Sequence, residues 1–523
     1  MESADVFIYD TTLRDGSQAE NINFSASEKL RIAHRLDEMG FHYIEGGWPG
    51  SNPKDAHFFE MAKGEPLKNS RLVAFGSTRK PGLKTEKCAN IQSLLNAGTQ
   101  AIALFGKSWD LHVREILEIS LKENLAMISD SIAYCKQRDK EVIFEAEHFF
   151  DGYRLSPDYA LQTVQIALEA GASWIALCDT NGGTMTHDLV EVVSKTAKII
   201  PKEKLAIHAH NDCGLAVANT ISAVNQGAKM VQGTVNGYGE RCGNADLIPI
   251  IANLQLKMGL RCLPAASIKQ LTNLSYYVGE VANVRPLPFR PYVGRSAFAH
   301  KGGVHVSAVA KSARAYEHID PELVGNRQRV LVSELSGKSN ISYKAKELGI
   351  SLNDDEILTK RIVREIKTLE EKGFQFDAAE GSLSVLMKKL SGAFQEPFKL
   401  QSFTVTNIKT KDDPSLCQAT IKIAVGDKEE LTAAEGNGPV NALDNALRKA
   451  LTKFYPQISD IQLSDFKVRI TEGSDGTAAR VKVLFDTRDK DEMWSTIGVS
   501  ENIIEASWQA LVDSIYYKLC KKT

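Results

Sequence analysis

Eight short apolar runs alternate with helix-length amphipathic segments between the N-terminus and about residue 258, and no other feature of the chain restricts its fold so strongly. The runs lie at 6–9, 42–44, 71–75, 101–105, 142–144, 174–178, 205–207 and 230–235. The amphipathic segments include 27–39, 84–97, 111–135, 157–170, 186–199 and 215–226; several open on a cap or a first-turn proline and close on glycine, as Ser156-Pro157 and Ala170-Gly171 do. Repeated βα units imply a parallel sheet. Eight of them in about 250 residues imply an α/β fold closed as a (β/α)8 TIM barrel. An open doubly wound sheet would more readily carry a glycine-rich phosphate turn after its first strand, whereas here the first run enters Asp10-Thr-Thr-Leu-Arg-Asp-Gly.

Barrel active sites sit at the C-terminal ends of the strands, and polar residues collect there. The first run ends in Asp10, Arg14 and Asp15, the second in Glu45, and the fifth in Glu145, Glu147 and His148. The sixth ends in Asp179, Thr180 and Asn181, the seventh in His208, His210, Asn211 and Asp212, the eighth in Asn236, Glu240, Arg241 and Asn244. One polar loop residue means little, but recurrence after nearly every strand marks a mouth.

His208 and His210 stand two apart at a strand end, so both imidazoles point to one face. Such a pair is half of a metal site and needs a further ligand. In a closed barrel strands one and seven lie next but one, so Asp15 can converge on the same ion. One carboxylate and two imidazoles leave positions open on a five- or six-coordinate metal, which can then polarise a bound carbonyl as a Lewis acid. The mixed oxygen and nitrogen set suits Zn, Mn, Mg or Co alike, and Asn244 could reach the metal or its water. Arg14, beside the ligand, would stabilise a developing oxyanion while staying charged. Glu145 and Glu147 share a face; Glu147, nearer the strand end, is the better general base, with Glu145 a buried ion-pair partner. Thr180 offers a hydroxyl for a substrate carboxylate. Gly237-Tyr-Gly-Glu-Arg-Cys-Gly-Asn244 is not GxGxxG and opens no βαβ unit, which excludes a dinucleotide reading.

Beyond the barrel, expected at 1–259, the chain divides further. Residues 260–330 carry Pro264, Pro286, Pro288 and Pro291 and the motif Ala297-Phe-Ala-His-Lys-Gly-Gly-Val-His-Val-Ser307, and 331–395 carry amphipathic stretches at 354–372 and 382–390; both read as small helical linker subdomains. Residues 396–523 are an imperfect repeat. Phe403-Thr-Val opens one half and Phe466-Lys-Val the other; Gly438-Pro-Val-Asn-Ala-Leu-Asp-Asn-Ala-Leu then matches Asn502-Ile-Ile-Glu-Ala-Ser-Trp-Gln-Ala-Leu. Two copies of strands followed by one helix form a pseudo-twofold α+β domain, suited to binding and pairing more than to chemistry.

Charge narrows the class. Lys and Arg total 63 against 65 Asp and Glu, which leaves no general field for nucleic acid or an anionic membrane. No apolar run approaches the ~18 to 20 residues of a membrane span, and the first residues lack a secretory pattern. Eight scattered cysteines without CxxC pairing argue for reduced thiols in a cytoplasmic enzyme.

Asp10-Thr-Thr-Leu-Arg-Asp-Gly-Ser-Gln18, His208-Ala-His-Asn-Asp212 and Gly239-Glu-Arg-Cys-Gly-Asn244 together resemble the signatures of the isopropylmalate, homocitrate and citramalate synthases, a barrel superfamily that also contains hydroxymethylglutaryl-CoA lyase. The resemblance spans nearly the whole chain. Glu45-Gly-Gly-Trp-Pro-Gly-Ser-Asn-Pro-Lys54 is most similar to the longer bacterial citramalate-forming branch. It implies a Claisen-type condensation in which the enolate of acetyl-CoA adds to the keto carbon of pyruvate and the thioester is hydrolysed. It also implies a divalent metal, a homodimer, and feedback by isoleucine at the duplicated domain. His305 and Tyr316 match linker residues that reach a neighbouring subunit's site in the family and assist hydrolysis or proton transfer.

One departure is that many relatives carry an acidic residue soon after the histidine matched by His305, where this chain reads His305-Val-Ser307. The competing readings are a 2-isopropylmalate synthase acting on 2-oxoisovalerate, an acyl-CoA lyase, for which Cys242 is a poor lid cysteine, and a biotin-dependent decarboxylase or inert sensor. Met387-Lys-Lys389 lacks the Met-Lys-Met context of a biotin acceptor.

Overall fold

The structure is a computed structural model and describes residues 4–333, 336–350, 352, 355–409, 411, 416–471, 478–490 and 492–520. It divides into two compact units, residues 1–298 with 320–327 and residues 299–319 with 328–523.

The first unit holds the expected barrel. Strands β1 (Phe7–Asp10), β2 (Tyr43–Gly47), β3 (Arg71–Ser77), β4 (Ala101–Lys107), β5 (Glu141–Glu147), β6 (Trp174–Asp179), β7 (Leu205–Ala209) and β8 (Met230–Gly233) close in sequence order, with β8 paired in parallel to β1. Period-two alternation builds the interior in layers. Tyr43, Val73, Ala101, Ile143, Ala176, Ala206 and Met230 belong to one apolar cluster inside the barrel. Two residues further along the same strands stand Glu45, Phe75, Ala103, Glu145, Cys178, His208 and Gln232. The layer nearer the C-terminal mouth is thus mostly polar, and each of its members inherits its inward direction from the apolar residue beneath it.

Three expected barrel helices appear within a residue or two, at Ala26–Glu38, where Ser25 and Glu28 form a reciprocal capping box, Pro157–Glu169 and Ala216–Asn225, whereas those expected at 84–97 and 186–199 are shorter, Ala89–Asn96 and Thr186–Thr196. The segment 111–135 is not one helix. A π-turn, His112–Ile116, is followed by Glu118 at φ 54, and a new helix, Leu121–Lys136, starts where the Ser120 side chain accepts the Glu123 N–H. The cap at Ser120 overrides a continuous apolar period. Helices Pro53–Gly64 and Phe149–Leu155 were not read from the sequence.

In the second unit, β9 (Ala299–His300) pairs with β10 (Arg329–Val330), and helices Lys338–Glu347, Glu356–Glu371 and Glu380–Leu390 share a small core with Ile341, Ile362, Ile366, Leu383 and Met387. The expected stretch 354–372 begins at Asp354, which lies outside the described residues. Met387-Lys-Lys389 sits on the last of these helices with Met387 fully buried, not on an exposed turn.

The C-terminal duplication is visible in three dimensions. Strands β11 (Lys399–Ile408), β12 (Leu416–Val425) and β13 (Lys428–Gly436) form one antiparallel sheet with helix Pro439–Leu451. Strands β14 (Gln462–Ile470), β15 (Val481–Arg488) and β16 (Met493–Ser500) form the other with helix Ile503–Leu519. Both first strands carry a register shift at matching places, Leu400/Ser402 and Leu463/Asp465, just before Phe403 and Phe466. Ile421, Leu443, Leu447, Phe485, Trp494 and Leu511 belong to one core common to both halves. A cavity of about 410 Å³ opens between them, lined by Val440, Leu463, Phe466, Phe485, Ile503 and Ile504, with Asp444 and Arg448 on its wall. Among the described residues no helix is long and apolar enough to cross a membrane.

Candidate active site

The loop after β1 is folded by its own acid. Asp10 accepts the Thr12 N–H at 3.0 Å and the Thr12 hydroxyl at 2.8 Å, and the Thr12 hydroxyl oxygen accepts the Val235 N–H at 2.8 Å. Asp10 is wholly buried, which pushes its carboxyl up to about 7. It shapes the turn that ends in Arg14 and Asp15.

Arg14 and Asp15 project from that turn into the barrel. Asp15 Oδ2 lies 3.4 Å from His208 Nε2 and 3.7 Å from His210 Nε2, and the two imidazole Nε2 atoms are 3.3 Å apart. All three side chains are buried, and among the described residues they are the cluster able to hold a metal ion. The i, i+2 reading therefore brings the ligand set together, although β7 ends at Ala209 and His210 lies one residue beyond it, held by its N–H to Asp179 O at 3.2 Å. Asn244 is bridged to His210 through the backbone, and its Oδ1 is buried without a partner, as is His210 Nδ1.

The charge balance fits a cation. Arg14 contacts Asp15 at 3.3 Å and donates from Nε to Glu45, while its guanidinium carbon lies 3.8 Å over the Phe75 ring. Glu45 also accepts the Tyr9 and Thr11 hydroxyls. Two buried acids thus face one guanidinium, a deficit of positive charge in a low-dielectric interior. Burial alone would raise Asp15, but Arg14 and the imidazoles outweigh it and hold the carboxyl well below the usual range. Burial likewise depresses His210, to about 4, whereas for His208 the neighbouring Asp15 and Glu145 overcome burial and raise it. A metal taken up through the same nitrogens would displace any proton they carry.

Glu145 and Glu147 separate as their positions on β5 require. Glu145 is 4% exposed; burial raises its carboxyl, and its partners are Gln232 Nε2 at 2.6 Å and the Cys178 thiol at 3.4 Å. The expected ion-pair partner is instead an amide, because β8 presents Gln232 at that level. Glu147, at the rim, pairs with Lys107 from the end of β4. The Thr180 hydroxyl oxygen accepts the N–H of His148, a residue held in the left-handed region at φ 56. Arg241 clamps the far side, donating twice to Asp212 and, at 2.7 Å, to Thr180 O.

These groups line a cavity of about 220 Å³ that contains Arg14, Asp15, Glu145, Glu147, Thr180, His208, His210 and Arg241. An aromatic wall of Trp48, Phe75 and Phe105 completes it and was not read from the sequence. Phe75 and Phe105 lay inside apolar runs and could have been found by counting inward positions up from Val73 and Ala103. Trp48 follows β2, where its N–H donates to Asp55, itself paired with buried Lys29, and its indole N–H donates to Asn90. His305 and Tyr316 belong to the second unit, stacked with ring centroids 4.1 Å apart.

The family model described as HMGL-like matches residues 5–278, that of a homocitrate synthase post-HMGL domain matches 292–373, and that of a LeuA allosteric (dimerisation) domain matches 377–519. The chain is 52% identical to an (R)-citramalate synthase of Aquifex aeolicus over 99% of its own length and 98% of the relative's. It is equally similar, 52% over 99% and 98%, to an (R)-citramalate synthase of Geobacter sulfurreducens. Against a 2-isopropylmalate synthase of Methanocaldococcus jannaschii the identity is 30% over 99% of this chain and 95% of that one.

Proposed function

We infer the function from the premise that the chain belongs to the HMGL-like family, in its citramalate synthase branch: it joins acetyl-CoA to pyruvate and releases (R)-citramalate and CoA. The observation that carries the reading is the meeting of Asp15, His208 and His210 in one buried cluster, beside Arg14 and Glu147 in a cavity of about 220 Å³.

Asp15, His208 and His210 would hold a divalent cation, and Asn244, bridged to His210 through the backbone, is assigned to the ion or its water. Such an ion supplies Lewis-acid polarisation of a 2-oxo acid's carbonyl; Zn, Mn, Mg and Co all suit the donors. Glu147, paired with Lys107 at the rim, takes the methyl proton of acetyl-CoA. Arg14, fixed by Glu45 and by the Phe75 face, stabilises the oxyanion that develops at the former keto oxygen. Thr180 holds the substrate carboxylate. Trp48, Phe75 and Phe105 form the apolar wall of the cavity and would keep water from the enolate. His305 and Tyr316 are assigned to the hydrolytic or proton-transfer step, supplied from the neighbouring subunit of a homodimer.

The domains follow this division of labour: the barrel at 1–259 catalyses, the linkers at 260–330 and 331–395 connect, and 396–523 pairs subunits and binds the effector. Isoleucine, the end product this reaction would feed, is the proposed effector. Its aliphatic side chain matches the apolar lining around Phe466, Phe485 and Ile503, and the nearby Asp444 and Arg448 offer charges to an amino acid. The protein is proposed to act in the cytoplasm.

The test is release of free CoA thiol from acetyl-CoA with a panel of 2-oxo acids, with and without chelator. Chelator-sensitive turnover with pyruvate is expected. Preference for 2-oxoisovalerate would reassign the enzyme to isopropylmalate synthesis, and absence of any thiol release would leave the sensor reading.

A further inference from the structure

The metal site presents the Nε2 atoms of two histidines, and a neutral imidazole can present only the nitrogen that lacks its proton. What decides this for His208 lies on the neighbouring strand. The register places His208 of β7 directly beside Gln232 of β8. Gln232 is 1% exposed; its Oε1 lies 2.9 Å from His208 Nδ1, and its Nε2 lies 2.6 Å from Glu145 Oε1.

An amide has one accepting end and one donating end. Both oxygens of Glu145 serve as acceptors, Oε1 for the amide and Oε2 for the Cys178 thiol at 3.4 Å. Facing such a carboxylate, the amide must turn its NH2 inward, because two oxygens at that separation repel. Its own oxygen then faces His208, and an oxygen at 2.9 Å calls for a proton on Nδ1. The lone pair is left on Nε2, the atom 3.3 Å from His210 Nε2 and 3.4 Å from Asp15 Oδ2. An amide in this position transmits orientation without adding another acid beside Asp15, Glu45 and Glu145.

We propose that Gln232, oriented by Glu145, is a positioning residue that fixes the tautomer of His208 and thereby sets the affinity of the Asp15, His208 and His210 cluster for a divalent cation. The inference rests on the metal-binding part of the proposed function and on neither substrate.

Isothermal titration of Mn2+ into chelator-treated protein tests it, with melting temperature as a control for folding. Gln232→Leu weakens Mn2+ binding about 10- to 100-fold, and its turnover recovers as Mn2+ is raised, which a loss of general packing would not produce. Glu145→Gln alone frees the amide to flip and weakens binding by a smaller factor. The exchanged pair Glu145→Gln with Gln232→Glu restores an acceptor at Nδ1 and a donor behind it, and returns the affinity to within a few-fold of wild type. If the leucine variant does not fold, Gln232→Met carries the same expectation. Wild-type affinity in a folded Gln232→Leu or Gln232→Met variant overturns the proposal, as does an exchanged pair no tighter than Gln232→Leu. A wild-type protein that takes up no Mn2+ at all would instead overturn the metal reading itself.

Discussion

The barrel mouth and the space between the two C-terminal sheets are both cavities of a few hundred Å³, yet they are walled with opposite chemistry. The mouth brings Asp15, Glu145, Glu147, Arg14, His208 and His210 together against one aromatic wall. The C-terminal cavity is lined by Val440, Leu463, Phe466, Ile503 and Ile504, with one acid–base pair at its side. Buried charge is costly unless each group has a partner or a bound ion, and the mouth gathers several such groups in one cavity. An apolar cavity costs little to form and distinguishes aliphatic shapes by burial alone. The first region gathers charge and the second gathers apolar surface.

That contrast can be broken most forcefully at the metal cluster. His208→Ala removes cation binding and activity together, lowering kcat/KM by about 10³-fold or more, since Lewis-acid stabilisation supplies several kcal/mol. Mn2+ titration beside the thiol assay checks this, and retained metal with lost activity would place the ligand set elsewhere. Next in size is Glu147→Gln. It keeps Mn2+ affinity but loses kcat by roughly 10²- to 10⁴-fold, the range of a general base; near-normal turnover would move the base to another residue.

In the C-terminal region the expected effect is smaller and different in kind. Leu463 is 44% exposed at the cavity rim, so Leu463→Ala disturbs folding little. Loss of its methyl contacts weakens isoleucine inhibition by about tenfold, within the range set by burying one or two methyl groups, while kcat with pyruvate stays unchanged. A shift in kcat without a shift in inhibition would sever the link between cavity and effector.

The smallest test sharpens the comparison through pH. In the barrel, burial lowers His42 to about 4, and its Nδ1 accepts the Ile8 N–H at 3.0 Å, which requires the neutral ring. The unfolded chain takes up that proton first, so this stability is full above about pH 6.5 and is lost as pH falls toward 4. In the helix Ile503–Leu519, burial raises Asp513 to about 6. There the folded state holds the proton, so stability is full below about pH 3.8 and declines as pH rises through 6. Calorimetric melts of His42→Asn and Asp513→Asn should therefore flatten opposite limbs of the pH profile. If both variants flattened the same limb, one of the two assignments would be wrong.

Much of the barrel was legible because periodicity is local. Apolar runs of strand length separated by capped helical segments require only neighbours in the chain to be read, and the closed order β1 to β8 follows from right-handed parallel crossovers. The His208 and His210 pair was legible for the same reason, since two residues on one strand share a face whatever surrounds them. The helix break at Ser120 was also written locally, as a cap followed three residues later by Glu123, but a continuous apolar period masked it.

What the sequence by itself determined is the number and kind of elements, the C-terminal duplication, and the type of residue at each strand end. The tertiary structure decided which of those residues face the cavity. Asp10, Asp179 and Asp212 stand at strand ends as Asp15 does, yet Asp10 and Asp179 are engaged by Thr12 and Thr184 within their own loops and Asp212 by Arg241. Gln232 and Trp48 carry no local mark at all. Gln232 matters because register sets it between His208 and Glu145, and Trp48 because Asp55 and Asn90 hold it over the mouth. Apart from Asp55, these hydrogen-bond partners lie tens of residues away and are chosen by barrel closure and strand register, and no local pattern in the chain encodes that choice.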